Sequence, residues 1–255
     1  MIYFASDVHL GSGGRDESRR VEALFVEWLE RVSKDADAIF LCGDIFDFWF
    51  EYKHVVPKGF VRSLAQIAKV TDRGVRVVYM AGNHDMWLGD YLNKECGVEI
   101  YTSPERFTLN GRVIHVAHGD NLNVTGDWKL QIINTLFRSK FVRVAFSWFV
   151  HPDIALKFGL WWSDKSREKH FRAESDNTLG GKGIEPLVEY AAQQQEISPC
   201  DHYIYGHLHQ TLQHQVLDSS QREYLVTFVS NWNGGSTPTY AKLDRQGNMT
   251  IEKVE

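Results

Sequence analysis

The chain has 255 residues, 43% hydrophobic and 24% charged, which supplies material for a sizeable core and excludes a disordered, collagenous or low-complexity polymer. Its net charge of −5 argues against a general nucleic-acid binder. Three widely spaced cysteines (Cys42, Cys96 and Cys200), with no CxxC pair, exclude a disulfide framework and a zinc knuckle and read as small core residues of a reducing compartment.

In chain order, the N-terminal MIYFAS lacks a basic leader region and reads as a first strand, Ile2–Ser6. Helical spacing follows over Ser18–Ser33, then a buried strand Ala38–Cys42, a helix Phe60–Val70 and a strand Val75–Ala81 set off by Gly74. Asn110-Gly111 between Arg106–Leu109 and Arg112–Ala117 is a strong hairpin signal. Residues 128–172 read mostly as helix, broken at His151-Pro152-Asp153, and Gly183–Gln195 as another. Strands are expected at His202–Tyr205, Gln213–Leu217, Glu223–Val229, Thr239–Leu243 and Thr250–Val254. Alternating strands and helices followed by a run of antiparallel strands predict an α/β (α+β) fold of two packed sheets with helices outside.

Five of these strands end in segments rich in metal-binding side chains: Asp7-Val8-His9, Gly43-Asp44, Gly82-Asn83-His84-Asp85, His118-Gly119-Asp120 and Gly206-His207-Leu208-His209. Ligands in α/β sheets gather beyond the carboxyl ends of strands, so the five segments are expected to converge. Imidazole, carboxylate and amide oxygen suit Mn, Fe or Zn. Asp7 and His9 lie two apart, as do His207 and His209, so an extended backbone would turn each pair to one side. Asp44, a single carboxylate at a glycine turn, suits a bridging position. Neither a Gly-x-Ser-x-Gly elbow nor a P-loop is present to suggest a side-chain nucleophile or a nucleotide cradle.

The series D-x-H, GD, GNHD, H and GHxH, from Asp7 to His209, resembles the calcineurin-like metallophosphoesterases. The resemblance implies a four-layer sandwich of two mixed sheets flanked by helices, with two divalent metal ions. One would be held by Asp7, His9, Asp44 and His209, the other by Asp44, Asn83, His118 and His207. Catalysis would rest on Asp44 and on His84, which would assist the departing oxygen. Two such cations acidify a shared water and stabilise charge on the phosphoryl oxygens.

Residues 128–172 carry nine Lys and Arg against three acids, a local charge of +6 that leaves −11 for the rest, and hold four of the eight tryptophans. No run there is apolar enough to span a bilayer, but basic amphipathic helices of this composition lie in membrane interfaces or line acyl grooves. The segments SDVHLG (6–11), GDIFDFWF (43–50), GNHDMWLGDY (82–91), HGDNL (118–122) and Ser-Arg-Glu (166–168) are similar to those of the UDP-2,3-diacylglucosamine pyrophosphatases of lipid A biosynthesis. That resemblance implies a core of residues 1–125 and 173–255 and an inserted helical lipid-binding cap of residues 126–172. It implies Mn2+ as the metal and a lipid-linked nucleotide as the substrate, cleaved to UMP and 2,3-diacylglucosamine 1-phosphate. It also implies a cytoplasmic protein held peripherally on the inner leaflet of the inner membrane. Asp127, Trp49, Ser166, His170 and Arg172 are the expected substrate contacts. The chain departs from well-known members at His84, where they carry Arg, and at His170, where an amide residue is typical. The alternative is a metallophosphoesterase acting on another phosphodiester or nucleoside diphosphate.

Overall fold

The computed structural model describes residues 1–120, 122, 139–175, 184–229, 232–233 and 237–255; the side chains of residues 140, 164 and 166–175 lie outside that description. Period-two apolar alternation sets its layering. In β1 (Ile2–Ala5), Ile2 and Phe4 join one cluster of buried side chains and Tyr3 and Ala5 another. β2 (Ala38–Leu41) and β3 (Arg76–Met80) divide the same way. Helices α1 (Gly14–Val32) and α2 (Val61–Asp72) cover the outer face, burying Phe25, Trp28, Leu29, Ile67 and Val70. Such fully buried residues contribute about 1.5–3 kcal/mol each.

The inner face packs on a second sheet through Phe107, Leu109, Ile114, Val116 and Ile204. Those residues come from β5 (Glu105–Leu109), β6 (Arg112–Val116) and β7 (His202–Tyr205). The opposite face of this second sheet carries Tyr203, Tyr205, Val226 and Phe228, covered by Leu187 and Ala191 of a helix at Glu185–Ile197. Helix, sheet, sheet and helix make the expected four layers.

The first sheet runs in the order β11-β10-β1-β2-β3-β4 and the second β5-β6-β7-β9-β8. Here β4 is Glu99–Tyr101, β8 Leu212–Leu217, β9 Glu223–Phe228, β10 Thr239–Leu243 and β11 Met249–Lys253. The Asn110-Gly111 hairpin forms as expected, with Leu109 opposite Arg112 and both loop residues at positive φ. Two features differ from expectation. A short helix α3 (Tyr91–Cys96) leads into β4, a pair too brief to show periodicity. The late strands are not a simple antiparallel run: β7 lies parallel to both β6 and β9, and β10 returns to the first sheet beside β1.

Among the described residues, α4 (Lys140–Phe149) and α5 (Pro152–Ser175) follow β6 in sequence and lead to α6 (Glu185–Ile197). The expected break at His151-Pro152 separates α4 from α5. Pro152 occupies the first helical position, where its missing N–H costs nothing, and His151 O accepts from Ile154 and Ala155 N–H. α4 leans on the core through Phe146, whose ring lies 5.3 Å from Phe50 and 5.1 Å from Trp87. Arg143 Nη1 donates to Leu88 O at 2.9 Å, and Tyr52 Oη to Val150 O at 2.8 Å. All three cysteines are buried and unpaired. No helix among the described residues is long and apolar enough to cross a membrane.

Candidate metal centre

The five segments do converge. Each follows the carboxyl end of a strand: residues 7–9 after β1, 43–44 after β2, 82–85 after β3, 118–120 after β6 and 206–209 after β7. The backbone route differs from the extended pairs expected. Asp7, His9, Asp44, His207 and His209 all adopt left-handed conformations, with φ of 53°, 48°, 52°, 66° and 53°. Non-glycine residues occupy that region only where the surroundings impose it.

Here neighbouring loops impose it. Asp7 N–H donates to Gly43 O (3.1 Å) and His9 N–H to Asp44 O (3.0 Å), continuing the parallel β1–β2 ladder past its formal end. Asp7 and His9 do meet, joined by His209. His207 turns away from His209 and joins Asp44 and His118. Asp44 also groups with His9 and His84, so it stands between the two sets.

Close backbone approach requires glycine at Gly43, where φ is 93° and a Cβ would sit 2.5 Å from His118 Nδ1. Gly206 is equally constrained: a Cβ there would collide with Ser6 and Asp7.

Donor chemistry tests whether cations fit. His9 Nε2 and His209 Nε2 face each other at 3.1 Å, and His209 Nε2 lies 3.4 Å from Asp7 Oδ1. The buried Oδ1 of Asp7 accepts no hydrogen bond among the described residues. On the other side, His118 Nε2 lies 3.2 Å from both Asp44 Oδ2 and Asn83 Oδ1. Lone pairs of carboxylate, amide and imidazole thus point at shared spaces. Bonds to the neighbouring backbone hold the remaining atoms: His118 Nδ1 faces Cys42 O at 3.0 Å, fixing Nε2 as the inward nitrogen. Asp44 Oδ1 accepts from His84 N–H (2.9 Å) and Asp7 Oδ2 from His207 N–H (2.9 Å). The residues fit divalent cations with mixed nitrogen and oxygen ligation.

Electrostatics agree with that donor set. Burial opposes ionisation of Asp7, yet the adjacent His209 and the His118 charge hold it down to about 2. Burial likewise opposes ionisation of Asp44, and His118 and His84 hold it well below the carboxylate range. His118 and His209 are raised, because nearby carboxylates outweigh their burial. His207 is pushed down to about 4 by burial and the His118 charge. Buried carboxylates kept ionised are what a cation site needs.

Sequence reasoning missed two braces here. Asp47, three residues beyond Asp44, is buried with Oδ1 3.5 Å from His9 Nδ1. Asp85 collects Gly82 N–H (2.7 Å), Ile45 N–H (2.9 Å) and Tyr79 Oη (2.5 Å). The GDxxD and GNHD spacings carried the signal for both.

Of the expected substrate contacts, Trp49 lies buried. Its side chain is only 1% exposed, packs on Phe46, Phe60 and Tyr91, and donates to Glu51 Oε1 at 2.9 Å. It is a core residue, because its segment runs as a buried extension of the sheet. Asp127 lies outside the described residues. Ser166, His170 and Arg172 fall on α5, with side chains outside the description.

A protein of Porphyromonas gingivalis named UDP-2,3-diacylglucosamine hydrolase is 36% identical over 91% of this chain and 90% of its own. One of the same name from Actinobacillus succinogenes is 29% identical, over 84% and 86%. Among solved structures, the Escherichia coli phosphoesterase Yfce aligns over 100% of this chain and 99% of its own at 14% identity and a TM-score of 0.42. The calcineurin-like phosphoesterase family matches residues 1–211, a span that takes in every one of the five ligand loops. With that match, and a 36% identical relative along nearly its whole length, the chain belongs to the calcineurin-like phosphoesterases.

Proposed function

We propose that this chain hydrolyses the pyrophosphate of UDP-2,3-diacylglucosamine, giving UMP and 2,3-diacylglucosamine 1-phosphate. The observation that carries the reading is a phosphoesterase ligand cluster that α5 touches through Ser163, with aromatic side chains exposed on α4 and α5. Phe141, Trp148 and Phe149 of α4 are 81–88% exposed, and Ile154, Trp161 and Trp162 of α5 are exposed as well. The relatives that match along the chain's length bear the name of that hydrolase.

In this reading two divalent cations, Mn2+ by preference, are held by Asp7, His9, His209 and Asp44 on one side and by Asp44, Asn83, His118 and His207 on the other. Bound there, they would acidify water and offset the charge that builds on the phosphoryl group. Asp44 keeps both ligand sets in register through its central place. Nε2 of His84 lies 3.8 Å from Asp44 Oδ2, at the edge of the cluster, where the imidazolium form, with a hydrogen on each ring nitrogen, can donate to the oxygen that leaves the uridine-linked phosphorus. Water supplies the new P–O bond, and the broken bond leaves its oxygen on the lipid phosphate.

In the same reading residues 126–172 are the lipid-binding cap, and Asp127, Ser166, His170 and Arg172 contact the substrate's polar part. The charge of +6 over residues 128–172 and the exposed aromatic side suit the anionic surface of the inner leaflet of the inner membrane, with the protein peripheral and cytoplasmic. His84 favours one second reading, a different phosphodiester, since well-known hydrolases of this group carry Arg there.

UMP release from UDP-2,3-diacylglucosamine with Mn2+ tests the proposal, with EDTA and Asp44→Ala as controls. Stoichiometric UMP that both controls abolish is expected. No UMP, with metal-dependent cleavage of bis(4-nitrophenyl) phosphate, would refute the substrate and keep the chemistry.

A further inference from the structure

Among its described side chains, α5 reaches the candidate centre with Ser163, which no motif announces. Ala155, Gly159 and Ser163 recur every four residues and form its buried face. A Cβ on Gly159 would collide with the ring of Phe48, so the helix axis comes close to the 44–50 segment. That approach brings Ser163 Oγ to 2.7 Å from Asp47 Oδ1 and 3.0 Å from His84 Nδ1. Both Ser163 and Asp47 are fully buried.

The hydrogens can be assigned by inventory. A carboxylate and a carbonyl only accept, and a hydroxyl has one hydrogen. At 2.7 Å that hydrogen goes to Asp47 Oδ1. Toward His84, Ser163 Oγ therefore accepts. Asp47 O, 2.9 Å from the same Nδ1, accepts too. His84 Nδ1 must carry the hydrogen, shared between two acceptors on different parts of the chain. This leaves Nε2 facing Asp44 and the cluster.

We propose that Ser163 is a positioning residue, carried by the inserted helix, that fixes the tautomer and the ring orientation of His84. The inference rests on the hydrolytic reading of the site and deepens it: the helical pair that covers the substrate also completes the chemistry. A helix displaced from Phe48 takes Ser163 with it, and His84 keeps one acceptor, Asp47 O, on its own loop's neighbour.

The test compares Ser163→Ala, Ser163→Cys and Ser163→Thr in the full-length, metal-loaded protein. Steady-state rates are measured on UDP-2,3-diacylglucosamine and on bis(4-nitrophenyl) phosphate, beside metal content and melting temperature. Loss of an orienting partner predicts a kcat about tenfold lower in Ser163→Ala on both substrates, with KM and metal content within about twofold. Ser163→Cys, similar in shape but a weak donor, should follow Ala. Ser163→Thr, which keeps the hydroxyl, should recover most of the rate. An unchanged kcat in Ser163→Ala overturns the proposal. So does a loss confined to KM for the lipid substrate, which marks a substrate contact, or a loss that tracks metal content. If the wild type cleaves only the aryl diester, the substrate reading fails while the comparison on the diester still judges Ser163.

Discussion

Asp85 should be the costliest residue to remove near the centre, although the family motif places it beside the ligands and not among them. Its carboxylate is fully buried and gathers Gly82 N–H, Ile45 N–H and Tyr79 O–H, at 2.7, 2.9 and 2.5 Å. Those donors come from two ligand loops and from β3, so Asp85 ties the 82–85 loop to the 44–46 loop. Asp85→Ala orphans three buried donors, each worth about 1–3 kcal/mol. Water entering the vacated space recovers part of that, and about 4 kcal/mol of lost stability remains. For a chain of this size the melting temperature should fall by roughly 8–16 °C. Melts in EDTA separate this from metal linkage. Asp85→Asn keeps one acceptor but sets an amide against a donor, and should lose about half as much. In the Tyr79→Phe background the cost of Asp85→Ala should shrink by about 1 kcal/mol, because one orphan is gone. A fall of under about 1 kcal/mol for Asp85→Ala would refute the reasoning, since it would mean the three donors find other partners.

Gly43→Ala should preserve the far-UV CD spectrum yet lower metal content and turnover about a hundredfold, because its Cβ would force His118 off its position; unchanged turnover would contradict the packing. Trp148→Ser should release the protein from anionic phosphatidylglycerol vesicles in a sedimentation assay with its melting temperature intact, whereas Phe146→Ser should cost about 2 kcal/mol of stability through Phe50 and Trp87; the reverse pattern would mean α4 presents its other side. His115 is held neutral by burial, with the Arg106 charge adding to it, at about 4 against 6.5 for a free imidazole, so its contribution is intact above pH 6.5 and lost as pH falls toward 4. At pH 5 that loss is about 2 kcal/mol, and His115→Phe should show a correspondingly smaller drop in melting temperature between pH 7.5 and 5; equal drops would refute it.

The ligand set was legible in the sequence because strand ends bear it directly. Asp7, Asp44 and His118 each come within two residues of an apolar run, and sheet geometry brings such positions together whatever the loops do. The backbone route was not legible. Spacing of two suggested extended pairs, but left-handed turns send His207 and His209 into different groups. Trp49 shows the same limit from the other side. Its place among the substrate contacts came from the resemblance alone, and nothing in the sequence foretold the pairing of its N–H with His84 O that goes with its burial. Ser163 was invisible because a small polar residue in a helical run has no pattern of its own. Only the docking of α5 on Phe48 gives it neighbours.

The 44–50 segment explains why cap and centre share a fate. It runs as a continuation of the first sheet: Leu10 bridges to Phe46, Phe50 bridges to Trp87, and Trp49 N–H bonds His84 O at 3.1 Å. Its residues then divide by direction. Asp44 and Asp47 face the ligand cluster, Phe46 and Trp49 join the core, and Phe48 and Phe50 receive α5 and α4. Left-handed residues at Asp7, His9 and Asp44 each carry strain of about 1–2 kcal/mol, tolerable only while this ladder holds. A shift of the helices therefore pulls on the strip that holds Asp44 in its left-handed turn. Variants at Phe48 or Phe50, neither of them a ligand, should lose metal affinity together with lipid turnover, whereas variants on the exposed side of α4 should lose neither their metals nor small-diester cleavage.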